Sequence, residues 1–219
     1  MSEMDLLLWA RGPGLQIAVA ALLAGTVLRL AEIFGLGRKR DLAVPRPGTA
    51  GSGWRTVFSR SLPRLPFMRG NVATYLLGYA FHLGLFAALF LFVPHIRLFQ
   101  SLFGFGWPGL PSALVDAASL LTIAALAGVL ILRLTHPVKR FLSTFDDYLA
   151  WALTTAPILT GYLAFHHLAL PYTAMLAVHI LSAELLLVCL PFTKLAHTFS
   201  FAISRWYNGS ALGRKGVTL

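Results

Sequence analysis

The sequence predicts an all-α integral membrane protein, a bundle of five transmembrane helices, and three observations carry that expectation. Only 12% of the 219 residues are charged while 57% are hydrophobic, and mean hydropathy is +0.73. A soluble domain carries about 25% charged residues, so half of the usual solvated surface is missing. Five apolar segments, each close to the roughly 20 residues that a hydrocarbon core about 30 Å thick requires, account for nearly the whole chain. The basic residues, finally, gather on alternate loops. No room is left for a separate soluble domain, so residues 1–219 read as one membrane domain.

The first helix is expected at about 15–34, from Leu15 to Phe34, between Pro13 and Gly35. The second, about 72–96, is the clearest, because no charged residue falls between Arg69 and Arg97. The third, about 113–132, follows the Gly/Pro-rich turn GFGWPGLP, and the fourth spans about 148–168. The fifth starts near Pro171 and runs to about 197. Segments this apolar on all sides belong in lipid or in a bundle core.

Arg38, Lys39, Arg40, Arg46, Arg55, Arg60, Arg64 and Arg69 lie between helices 1 and 2. Arg133, Lys139 and Arg140 lie between helices 3 and 4, and Lys194, Arg205, Arg214 and Lys215 close the chain. The opposite side carries only Arg11 and Arg97. The positive-inside rule then sets the N-terminus outside and the C-terminus in the cytoplasm, in a cell inner (cytoplasmic) membrane. The net charge of +10 is thereby a topology signal, with anionic lipid of the bilayer as a secondary contact, and a nucleic-acid partner is excluded. Met1 to Arg11 contains Glu3 and Asp5 instead of a basic leader, so no signal peptide is expected. The single cysteine, Cys189, lies inside an apolar segment, which excludes disulfides and thiolate metal sites.

Six of the seven histidines fall within or at the ends of these segments: His82, His95, His166, His167, His179 and His197. His136, before Pro137 in a loop, reads as ordinary. Ionisable groups in a span are costly and point to function, although a neutral imidazole also serves as a simple bridge between helices. Spacing favours function. His179 and His197 are 18 residues apart, five turns of a regular helix, which sets them on one face about 27 Å apart. One helix presenting two imidazoles near opposite membrane surfaces suits two stacked haems with axial histidines from facing helices. Methionine is scarce and cysteine offers no alternative ligand, so bis-histidine ligation is the expectation. No HExxH motif, carboxylate-rich metal site or nucleophile–base pair is present. Gly78 and Gly84 flank His82, and Ala183 lies one turn after His179, small residues that let a flat macrocycle approach. Glu184, deep in helix 5, reads either as a proton-relay or quinone-site group or as a helix-pairing contact. Arg29 reads either as a partner of a haem propionate or as a snorkelling side chain.

The stretch LAVHILSAELLLVCL followed by PFTKLAHTFS at Pro191–Ser200 resembles the last helix of the respiratory nitrate reductase gamma-subunit family. That pattern is a histidine, then 18 residues later a second histidine just after a Pro-Phe-Ser/Thr-Lys/Arg turn, and His179 and His197 match both. FHLGLF at Phe81–Phe86 resembles the start of the family's helix 2, GTVLRL at Gly25–Leu30 the end of its helix 1, and STFDDYLAWALTTAPILTGYLA its helix 4. Related cytochrome b subunits serve heterodisulfide-reductase-like and sulfite-reduction-associated complexes.

The resemblance implies a membrane cytochrome b subunit with two b haems, menaquinone or ubiquinone chemistry near the outer haem, and a cytoplasmic iron–sulfur subunit as partner. It pairs His82 with His197 at the inner haem, gives His179 to the outer haem and includes Arg29. The family's second helix 2 ligand falls on Phe92 here, and the nearest histidine is His95, after Pro94. On a regular helix the 13-residue offset turns His95 about 140° from His82, a regularity that the proline can break. His95 by way of a local kink, His166 or His167 from helix 4, or a missing outer haem (one haem in place of two) are the three readings left open. Counting residues from the expected helix ends puts His82 and His179 at similar depth, which would pair those two instead. A haem-free membrane anchor and a proton-linked transporter are the alternatives; the transporter predicts internal repeats, and none is found.

Overall fold

The computed structural model describes residues 2–36, 44, 46, 51–63, 68 and 70–217. Arg38, Lys39, Arg40, Arg64 and Arg69, which contribute to the expected charge asymmetry, lie outside the described residues. The described residues form helices and turns, and five of the helices are long and apolar enough to cross a membrane.

The first, α1 (Glu3–Gly35), begins twelve residues before the expected Leu15. Ser2 caps it: its hydroxyl accepts from the Asp5 N–H at 3.1 Å and its own N–H donates to the Asp5 carboxylate at 2.8 Å. Pro13, expected as the boundary, is absorbed into a five-residue π-helical turn, Ala10–Gly14. A short amphipathic helix, α2 (Ser52–Ser59), follows.

The second span was expected to be continuous over 72–96; it is α3 (Val72–Leu91) and then, after a bend at Phe92 (φ −83°, ψ 122°), α4 (Val93–Phe103). The cause is Pro94, which has no N–H to give the Phe90 carbonyl. That carbonyl instead accepts the Trp107 indole N–H at 2.5 Å, and the Leu91 carbonyl accepts the Leu110 N–H at 2.9 Å. The GFGWPGLP turn therefore caps the bend, satisfying groups that would otherwise be left open. The third span, α5 (Ser112–Thr135), agrees with expectation to within three residues and leads into α6 (Pro137–Leu142). The fourth, α7 (Phe145–Phe165), ends before His166, and the turn after it holds His167 and Ala169 at positive φ.

The fifth span departs most from expectation. Its helix, α8 (Tyr172–Cys189), gives way to two short 3-10 turns separated by extended Thr193, and a new helix, α9 (His197–Arg214), starts at His197 itself. The five regular turns expected between His179 and His197 therefore do not occur, because Pro191 interrupts the ladder. The break is pinned from two sides. Arg29 donates from Nε to the Pro191 carbonyl at 3.1 Å, and Lys194 pairs with Asp147 of α7 at 2.6 Å.

α3 packs on α5, α5 on α7, α7 on α8 and α8 on α1, while α2 lies along α9. Ala88, Val115, Leu126 and Ile158 form the centre, with Phe81, Phe92, Ile123 and Trp151 around them. Leu23, Val27, Leu83, Leu121, Ile131 and Leu185 point outward, an apolar exterior suited to lipid. One end of the bundle carries the Arg133–Asp147–Lys194 cluster and the α2–α9 layer; this is called the basic end, and the other the far end.

Candidate cofactor site: two imidazole pairs

Four of the six membrane histidines meet in two pairs, each joining elements remote in sequence. Toward the basic end, His82 of α3 faces His197, the first residue of α9, with ring centroids 6.3 Å apart and planes at 72°. Toward the far end, His95 of α4 faces His179 of α8 at 6.0 Å, with planes at 20°. The bend at Phe92 brings His95 round to α8, and the break at Pro191 brings His197 back to α3. The pairing of His82 with His179 that equal depth would have favoured does not form.

All four rings are tied in the same way. Nδ1 of His82 lies 2.7 Å from the Gly78 carbonyl, that of His95 2.8 Å from Ala88, that of His179 3.0 Å from Pro157, and that of His197 2.8 Å from Lys194. A carbonyl only accepts, so each Nδ1 carries the hydrogen, which in a neutral ring leaves Nε2 its lone pair. Fixing the tautomer through the remote ring nitrogen is how proteins prepare histidine to ligate a metal.

The donor set fits haem. Two metal–nitrogen bonds of about 2 Å each, with the step from each nitrogen to its ring centre, give roughly 6 Å between centroids. Two imidazoles are too few for a bare ion, which takes four or more ligands, and among the described residues no group of three or more His, Cys, Asp or Glu gathers to hold one. A macrocycle that brings its own equatorial nitrogens needs two axial ligands and no more.

Several shaping residues escaped the sequence reading. A Cβ on Gly161 of α7 would stand 2.9 Å from Cε1 and 3.1 Å from Nδ1 of His179, so only glycine leaves that ring its place. Pro157, one turn earlier, supplies the carbonyl for His179, and Thr160 sets its hydroxyl 3.4 Å from Nδ1 and 3.0 Å from Ser182. Phe92, where the family pattern has its ligand, packs edge-on against both His95 and Phe165 at 5.4 and 5.5 Å.

The remaining candidates lie elsewhere. His166 contacts Asp116 through Nε2 at 2.6 Å, and His167 packs on Tyr172 at 4.8 Å; neither forms a ring contact with His179. Arg29 is occupied at the chain break, with Glu32 at 2.8 Å and the Phe192 ring at 5.8 Å besides the Pro191 carbonyl. Gly84 serves helix packing instead of a macrocycle, since its Cβ would run into Thr122 and the Ala118 carbonyl of α5. Gly78, one turn before His82, faces open space. Glu184 is buried where α8 meets α1, and its Oε1 has no hydrogen-bond partner.

Across known proteins, the chain is 34% identical over 142 residues to a protein of Nitratidesulfovibrio vulgaris strain Hildenborough that carries no functional description. The match covers 64% of this chain and 62% of that protein. No family model and no solved structure matches the chain.

Proposed function

We propose that the chain is the b-type cytochrome subunit of a membrane oxidoreductase complex, carrying electrons between the quinone pool and a cytoplasmic iron–sulfur subunit. His82 with His197 and His95 with His179 would be the axial ligands of two b haems. One observation carries the reading: two cross-helix imidazole pairs at 6.3 and 6.0 Å, each ring tied by Nδ1 to a backbone carbonyl.

Bound there, haem supplies one-electron transfer. The chain's own residues supply the rest. The carbonyls of Gly78, Ala88, Pro157 and Lys194 orient the rings, and Gly161 of α7 leaves room for that of His179. His82 and His95 lie thirteen residues apart along the second span, on either side of the bend at Phe92, so the pairs mark two separate stations along the bundle. The positive-inside rule turns the basic end to the cytoplasm, in the inner membrane. Arg55, Arg60, Arg140 and Arg214 are exposed there, a surface suited to an acidic partner. Menaquinone or ubiquinone would react near the far-end pair. The resemblance to the nitrate reductase gamma subunit supports the same assignment.

The test is a reduced-minus-oxidised spectrum and a pyridine haemochrome count on the chain purified with its native partners. Two b haems per chain are expected, falling to one when either member of a pair is replaced by alanine. The ring angles of 72° and 20° further predict two distinct low-spin ferric signals in electron paramagnetic resonance, one strongly anisotropic and one ordinarily rhombic. An intact complex without haem would overturn the reading and leave a membrane anchor.

A further inference from the structure

Glu184 belongs to neither histidine pair. It lies five residues past His179 on α8, about 140° round the helix, and so leaves α8 by another face, toward α1. Its side chain is 6% exposed, and Oε1 is buried with no partner. What meets it is the π-helical turn of α1. A Cβ on Gly14 would stand 2.9 Å from Oε2 and 3.0 Å from Oε1, so the glycine is what admits the carboxyl. Pro13, inside the same turn, has no N–H, which leaves the backbone ladder of α1 interrupted beside the acid. Turns of this kind gather at functional positions.

The titratable groups on the packed elements are engaged or distant. On α1, Asp5 is held by Ser2, Arg29 and Glu32 pair with each other, and Glu3 and Arg11 are exposed. On α7, Asp147 is taken by Arg133 and Lys194, and Tyr162 packs on His166. On α8 itself His179 is tied to Pro157, and Tyr172 and Cys189 lie at the helix ends. None of them is hydrogen-bonded to Oε1 of Glu184. An unpaired charge in that position is costly, and a metal cation would need several oxygens. A single carboxyl suffices for a proton.

We propose that Glu184 is a proton-binding site inside the membrane, loaded when an electron arrives at the neighbouring histidine pair and unloaded when it leaves. The exchange is acid–base only: water-derived H⁺ joins the carboxylate to give the neutral acid, and no electron passes through Glu184. The coupling rests on the cytochrome reading. Five residues of helix separate Glu184 from His179 by about 8 Å of rise. With the two side chains leaving opposite faces the charges lie roughly 15 Å apart, and at an effective dielectric near 20 one electron changes proton affinity about sixfold.

Infrared difference spectroscopy on the whole complex tests this. The reduced-minus-oxidised spectrum should contain the C=O stretch of a protonated carboxylic acid, shifted in D2O, absent in Glu184→Gln and displaced in Glu184→Asp and Gly14→Ala. Persistence of the whole band in Glu184→Gln, or no carboxylic-acid band in a complex with its full haem content, would overturn the proposal. A pH-difference spectrum of the same preparation reads Glu184 without any redox centre. A Glu184 band there, in a complex free of haem, would sink the cytochrome reading and the coupling while upholding the proton site. Should Glu184→Gln fail to assemble, Glu184→Asp and Gly14→Ala carry the same readout.

Discussion

A missing side chain at Gly161 sets the far-end pair as firmly as the histidines do. Alanine there would gain about 1 kcal/mol of helix propensity, so the backbone of α7 does not ask for glycine; the His179 ring, 2.9 Å from the would-be Cβ, does. Gly161→Val should therefore leave the span inserted yet displace His179 from His95. The expected outcome is a fall from two haems per chain to one by pyridine haemochrome, with the His82–His197 centre spectrally unchanged. Retention of both haems would mean that the ring can move aside. The four histidines were legible in the sequence because an imidazole inside an apolar run stands out; the 18-residue spacing, read as one continuous helix, did not hold, since Pro191 breaks that helix and the two histidines belong to different pairs. Gly161, Pro157 and Thr160 were not legible, since a glycine, proline or threonine in a span has many ordinary uses and only packing tells which applies.

Prolines within the spans divide the elements into those that sequence describes well and those that it does not. Pro13 is taken into a π-helical turn, Pro157 stays inside a continuous α7, and Pro94 and Pro191 end their helices. The same residue meets three outcomes. At Pro94 the freed Phe90 carbonyl is taken by Trp107, which stabilises the bend, and at Pro191 the break is held by Arg29 on the Pro191 carbonyl. Span number and approximate position followed from hydropathy alone, but neither bend did, and both histidine pairs depend on them. Along a straight second span His95 would face away from His82's partner side by about 140°. Restoring the N–H with Pro94→Ala should let the helix run on through Phe92 and carry His95 off α8. The far-end haem should then be lost while the second span gains amide protection in hydrogen exchange. Trp107→Phe leaves the Phe90 carbonyl open at a cost of about 1 kcal/mol and should lower the thermal midpoint while keeping both haems. A Pro94→Ala protein with an intact far-end centre would show that the bend is dictated by the rest of the bundle.

For the molecule as a whole, the two pairs acquire a direction only from its orientation in the membrane. Fifteen of the eighteen Lys and Arg residues were assigned to one side by sequence, and those described gather with α2, α6 and α9 at one end of the bundle. Translocating so many basic residues is disfavoured, which is the physical content of the positive-inside rule. The far end, with His95, His179 and the Asp116–His166 contact, should then face outward, and under the proposed cytochrome function an electron passing between the pairs would move charge across the bilayer. Labelling with a membrane-impermeant maleimide in right-side-out vesicles decides the matter, using Glu3→Cys at the far end and Arg140→Cys at the basic end, both exposed positions. The native Cys189, within the fifth span and only half-buried, serves as the background control. Glu3→Cys should label at once and Arg140→Cys only after lysis. The reverse pattern would set the basic end outside, remove the cytoplasmic partner from the proposal, and reverse the sense in which the His82–His197 and His95–His179 stations carry charge.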